Sequence, residues 1–112
     1  MDEREVRIAQ TEALFRDVNE RIAESAARFN ARDAEFVCEC ADPTCAERVP
    51  ATLDQYEEVR ADGTHFLLAP DHELPELERV VKRPHQRSVV VEKFNAVVAR
   101  TVRRLDPRAD AV

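Results

Sequence analysis

Ile8, Phe15, Ile22 and Phe29 recur every seven residues, with Val18 between them and Thr11 and Ser25 as its weaker equivalents. Apolar positions at that interval, with charge around them, make one stripe on a helix. Neither Gly nor Pro interrupts the first thirty residues, so the spacing predicts a single long helix over 1–30. Its half-polar second seam position weighs against an independent coiled coil. The stripe is expected to pack on the chain's own sheet. A homodimer or partner-helix seam is the alternative.

The period then changes to two. In "EFVCEC", Phe36, Cys38 and Cys40 share one face of an expected strand, while Glu39 points the other way and is expected to be solvated. "ADPT" carries turn chemistry, and "AERVPA" reads as a short returning strand. Thr52 with Gln55 three residues on makes a capping-box pattern for a short middle helix. That helix is expected to stop at Gly63, the one glycine of the chain, in a left-handed conformation. "HFLLA" is a strand and "PDHELPE" a two-proline loop. "ERVVKR" and "SVVVEK" are valine-rich strands joined through "PHQ" as a hairpin. "FNAVVARTVRRL", residues 94–105, is a closing helix, and "DPRADAV" is expected to fray. The pattern is α+β in a single domain over 1–112: an N-terminal helix, a knuckle and small antiparallel sheet over 35–93, and a C-terminal helix.

Composition narrows the class. With 44% apolar and 36% charged side chains in 112 residues, the chain can fold around one modest core, and a metal staple would help it. No apolar run approaches the roughly 18–20 residues of a membrane span. "MDEREVRIAQ" lacks the apolar core of a signal peptide, so a cytoplasmic location is expected. The net charge of −6 divides unevenly, with −12 over residues 1–78 and +6 over 79–112. Arg79, Lys82, Arg83, Arg87, Lys93, Arg100, Arg103, Arg104 and Arg108 make up the basic part. All of these except Lys93 and Arg108 are the candidate surface for an acidic partner or nucleic acid. The favoured reading is that the two halves neutralise each other, since an acidic whole repels DNA and no reading motif is present.

All three cysteines fall in "CECADPTC", spaced Cys-x-Cys-x4-Cys. In a reducing compartment such a cluster points to metal or redox chemistry rather than to a disulfide framework. Thiolates two apart on a strand share a face, and a turn can bring a third back to it. Cys38, Cys40 and Cys45 can therefore occupy three corners of a zinc tetrahedron. For the fourth corner, His72 is favoured, because Pro70 and Pro75 stiffen its loop. His65, at a strand start, and His85, in a basic hairpin turn, are less suitable; an Asp or water is the other option. Reduced cysteines without metal, or a thiol redox switch, are the competing readings. Iron–sulfur clusters usually take four thiolates. Catalytic signatures are absent: there is no His-Glu-x-x-His, no deaminase pattern and no glycine-rich phosphate loop. A non-enzyme is expected.

The run from "NERI" through "FVCECADPTC", "EYEEVR"-like "QYEEVR", "APDH" and "VVVEK" to "LDPR", residues 19–108, resembles a group of small proteins of high-GC, actinobacterial-type bacteria. Their pattern combines Phe-x-Cys-Glu-Cys, a third Cys, Pro-Gly-His and Val-Val-Glu-Lys. The resemblance implies a zinc site on Cys38, Cys40, Cys45 and His72 and carries no activity with it. The chain departs at Asp71, where the pattern has Gly, and at Phe94-Asn95, where a small residue or Gly is usual. Asp can adopt the left-handed backbone such a Gly would supply. The expectation is a regulatory or adaptor domain with structural zinc and a protein partner. A nucleic-acid-binding regulator or a thiol and zinc redox sensor is the alternative.

Overall fold

The computed structural model describes residues 3–109. The order of elements is α1 (Glu3–Arg28), β1 (Asp33–Val37), β2 (Arg48–Thr52), α2 (Leu53–Arg60), β3 (His65–Leu68), β4 (Glu78–His85), β5 (Ser88–Lys93) and α3 (Ala96–Arg104). The fold is α+β, with the strands in two antiparallel sheets, β1–β2 and β3–β5–β4. Valine-rich β5 is the central strand. It is buried from Ser88 to Val91, as a strand covered on both faces must be. Phe66 lies opposite Val91 and Leu68 opposite Val89. Phe36 stacks on Tyr56 at 4.5 Å between ring centroids, joining β1 to α2.

Local signals behave as their chemistry demands. The Thr52–Gln55 capping box closes on both sides. The β4–β5 hairpin turns at Gln86-Arg87, with irregular register in β4. α3 begins later than residue 94, because Asn95 caps it by accepting from Val98 N–H at 3.0 Å. Phe94 therefore lies outside the helix, 47% exposed.

Three expectations are overturned by long-range packing. Gly63 is not left-handed: α2 ends at Ala61 in a right-handed conformation, and no glycine has positive φ. Gly63 serves close approach instead. Its carbonyl accepts from Arg16 Nη1 at 2.9 Å, and a Cβ there would meet Asp106 Oδ2 at 3.1 Å. The tail does not fray as far as Ala109. Asp106 pairs with buried Arg60 and Arg16, and Arg108 reaches Glu20 at 2.7 Å and Glu57 at 2.8 Å. Residues 110–112 of the expected frayed tail lie outside the described residues.

The third correction concerns α1. Ile8 is buried, and Ile22 packs against the core, but Phe29 is 81% exposed. The buried face of α1 is Ile8, Ala9, Glu12, Ala13, Arg16 and Asn19, which falls on one side at about 100° per residue. Polar side chains are tolerated there because each finds a distant partner. Glu12 accepts from Lys93 Nζ at 2.8 Å, and Lys93 also pairs with Glu78. Lys93 is therefore interior and does not belong to a basic surface. Arg16 lies 3.6 Å over the Phe66 ring, and Lys93 Nζ lies 4.7 Å from the same ring.

Burial pushes the Glu12 carboxyl up from 4.5 to about 7, against the pull of Lys93. Between those values the folded state holds a proton that the unfolded chain has released. This group's contribution therefore falls as pH rises through that window, by at most about 1.4 kcal/mol per pH unit. Glu12→Gln is expected to have a flatter stability profile than the parent between about pH 5 and 7 in urea unfolding. Parallel profiles would contradict this account.

Candidate metal centre

The site is built where the chain changes sheets. Asn19 of α1 holds the end of β1 as a neighbouring strand would. Its Oδ1 accepts from Val37 N–H at 2.8 Å, and its Nδ2 donates to Val37 O at 2.9 Å. β1 ends there, short of the cysteines. The next N–H, of Cys38, donates to Glu47 O beside β2, and that of Glu39 donates to Leu67 O of β3. Phe36, Cys38 and Cys40 keep their shared burial.

Glu39 is not solvated. It is fully buried, and its carboxylate accepts from Asn19 Nδ2 at 2.8 Å, Leu67 N–H at 2.9 Å and Tyr56 OH at 3.0 Å. α1, α2 and β3 all meet on this one side chain. Strand alternation led to a solvent-facing side chain, but β1 stops at Val37, and Glu39 beyond it is buried. The only hint in the sequence is a carboxylate flanked by two buried-type residues.

Two turns deliver the remaining donors. Asp42 Oδ1 accepts from Thr44 N–H and Oγ1, and Cys45 N–H donates to Asp42 O at 3.0 Å, which folds Cys45 back toward Cys40. His72 N–H donates to Ala69 O at 3.3 Å around Pro70 and Asp71, with Asp71 at φ 69°. Pro at the second position and positive φ at the third make a type II turn. Asp71 thus adopts the left-handed backbone that is open to an Asp.

Cys38, Cys40, Cys45 and His72 each offer a ligand atom, and these atoms all lie within 4.8 Å of one another. His72 Nδ1 is 3.6 Å from both Cys38 Sγ and Cys45 Sγ. A tetrahedral zinc with Zn–S near 2.3 Å and Zn–N near 2.0–2.1 Å has S···N edges of roughly 3.6 Å. All three cysteines are free. The donor set and its spacing therefore fit a metal ion. Backbone N–H groups support the sulfurs: Ala69 donates to Cys38 Sγ at 3.2 Å, and those of Asp42 and Glu47 favour the thiolates of Cys40 and Cys45. A hydrogen bond from Cys38 is the main influence bringing Cys40 down to about 5. Giving that bond, and burial, push Cys38 up; burial foremost raises Cys45. Three crowded thiols do not ionise together unaided, whereas a dication allows it.

The other histidines lie elsewhere. His85 is exposed at the hairpin tip, its Nδ1 accepting from Arg87 N–H. His65 is half-buried rather than solvent-facing, with Nε2 3.2 Å from Glu92 and 3.5 Å from Asp62. Arg79 also holds Glu92, so this is an ion-pair cluster at the surface. Of the basic candidates, Arg79, Lys82 and Arg87 face Glu92, Glu58 and Glu35, while Arg83, Arg100, Arg103 and Arg104 are exposed. Among the described residues, no helix is long and apolar enough to cross a membrane. No protein-family model, curated protein or solved structure matches this chain.

Proposed function

We propose that this protein is a small, non-enzymatic zinc-binding module whose Cys3His centre is structural and whose surface serves a protein partner. The observation that carries the reading is the convergence of three sulfurs and His72 within 4.8 Å of one another, with His72 Nδ1 3.6 Å from two of the sulfurs. Four protein donors complete a zinc shell and leave no open position for substrate, the mark of structural rather than catalytic sites. Zinc, when bound, supplies a cross-link. Cys38, Cys40 and Cys45 belong to the β1–β2 side and His72 to the β3–β4 connection, so their shared ion would tie the two sheets.

An adaptor role is supported by the face of α1 that leaves Leu14 and Val18, one turn apart, exposed. The carboxylates already facing Arg79, Lys82 and Arg87 favour a protein partner over nucleic acid.

Elemental mass spectrometry on protein purified without added metal, with thiol titration before and after a chelator, tests the centre. One zinc per chain, with the thiols masked until chelation, is expected; metal-free protein with three reactive thiols overturns the reading. His72→Ala is expected to weaken zinc retention about tenfold or more, in the range of lost metal-site groups. His85→Ala should leave retention unchanged. Equal effects would remove His72 from the centre.

A further inference from the structure

The four donors are not equally sheltered. Cys38 is 1% exposed and Cys40 2%, whereas Cys45 and His72 are only half-buried. Cys45 stands at the end of the exposed Asp42–Pro43–Thr44 turn. An open cleft of about 720 Å³ runs alongside; its lining includes Ala46, next to Cys45, and His72 but none of the cysteines, so it brings solvent to the His72 edge of the centre. A small oxidant therefore meets one sulfur first.

The remaining cysteines differ in how they are held. Cys38 Sγ accepts from Ala69 N–H across the sheet boundary, and the Cys38 backbone is bonded to Glu47 O. Cys40 and Cys45 flank one tight turn, and their sulfurs lie within 4.8 Å of each other. Joining these two closes the turn that they flank. Joining Cys38 would pull on both sheets.

We propose that Cys45 is a peroxide-oxidation site and that it resolves onto Cys40, making zinc retention redox-dependent. This rests on the structural-zinc reading above and adds a regulation to it. The Cys45 thiolate attacks one oxygen of hydrogen peroxide. The S–O bond forms, the O–O bond breaks, and hydroxide leaves, so Cys45 becomes a sulfenic acid, oxidised by two electrons. The Cys40 thiolate then attacks the Cys45 sulfur. The S–S bond forms, the S–O bond breaks, and a second hydroxide leaves. With two protons from solvent, the sum is two thiolates and one peroxide giving one disulfide and two waters. Cys38 and His72 are then the remaining donors, too few to hold zinc in a closed site.

The test uses the zinc-loaded full chain and hydrogen peroxide. Released zinc is followed with a chromogenic chelator, free thiols are alkylated, and the protein is cut before aspartates. Asp33 and Asp42 place Cys38 and Cys40 in one fragment and Cys45 in the next. The expected result is one zinc released per disulfide, with those two fragments cross-linked through Cys40 and Cys45 and alkylated at Cys38. A thiol reductant and added zinc should restore the starting state. A Cys45→Asp variant keeps an oxygen donor in place of the thiol. If it binds zinc, it is expected to retain it in peroxide. Zinc retained by the parent with all thiols reduced, or a cross-link through Cys38, overturns the proposal while leaving structural zinc intact. Absence of zinc at the outset overturns both.

Discussion

Cys40→Ser is expected to purify without metal and to melt far below the parent. Apparent zinc-binding free energies in small domains are on the order of 10–16 kcal/mol, while whole domains are stable by only about 5–15 kcal/mol. Losing half of that contribution, about 5–8 kcal/mol, equals the whole margin of a domain at the lower end of that range. The segments between Val37 and Arg48 and between Leu68 and Glu78 contain no helix or strand and depend on turns such as Cys45 N–H to Asp42 O and His72 N–H to Ala69 O. With the metal gone, these turns lose their cross-link, and the seam between the sheets opens first. The check is thermal unfolding by circular dichroism for the parent, the parent with chelator and the variant. The last two should coincide. A variant that melts with the metal-replete parent would show that the centre contributes nothing to folding.

Glu39→Ala is expected to destabilise the fold by several kcal/mol, since each buried donor left without an acceptor costs about 1–3 kcal/mol. Tyr56 OH and Leu67 N–H would lose their acceptor, and Asn19 Nδ2 would keep only Val37 O. Glu39→Gln preserves the shape and one carbonyl acceptor, so it should cost less. Glu58→Ala is the control, since Glu58 makes only an exposed pair with Lys82. Urea unfolding with zinc content measured in parallel separates the network from the metal. If Glu39→Ala is no less stable than Glu58→Ala, the role assigned to Glu39 fails.

The contrast between the two predictions reflects how each residue was legible. The clustering of Cys38, Cys40 and Cys45 is legible from their spacing, because a turn of a few residues suffices to bring them together. His72 is farther along the chain, yet Pro70 and the left-handed Asp71 make its turn readable locally. Thr52 with Gln55, and the two valine strands around Gln86-Arg87, are likewise settled within short windows.

Glu39 could not be read in this way. Period two gives the face of a strand but not where the strand ends or what packs beyond it; β1 ends at Val37, and Glu39 is buried past that end. The same gap produced the error on α1. A helical stripe ranks positions by apolarity, whereas Glu12, Arg16 and Asn19 are interior because Lys93, the Gly63 carbonyl and Val37 wait for them.

By itself the sequence determined the α+β order, the Thr52 cap and the hairpin, and brought forward Cys38, Cys40, Cys45 and His72 as the favoured donor set. These depend on propensities and on contacts over short spans of chain. Only the tertiary structure decided that the strands divide into two sheets, that Glu39 joins them, that α1 buries charge, and that the tail docks through Asp106 and Arg108. Burying an ionised group is favourable only when its partner is in place. Here the partners stand as far apart in the chain as Glu12 and Lys93, or Glu20 and Arg108, so no local pattern carries the information.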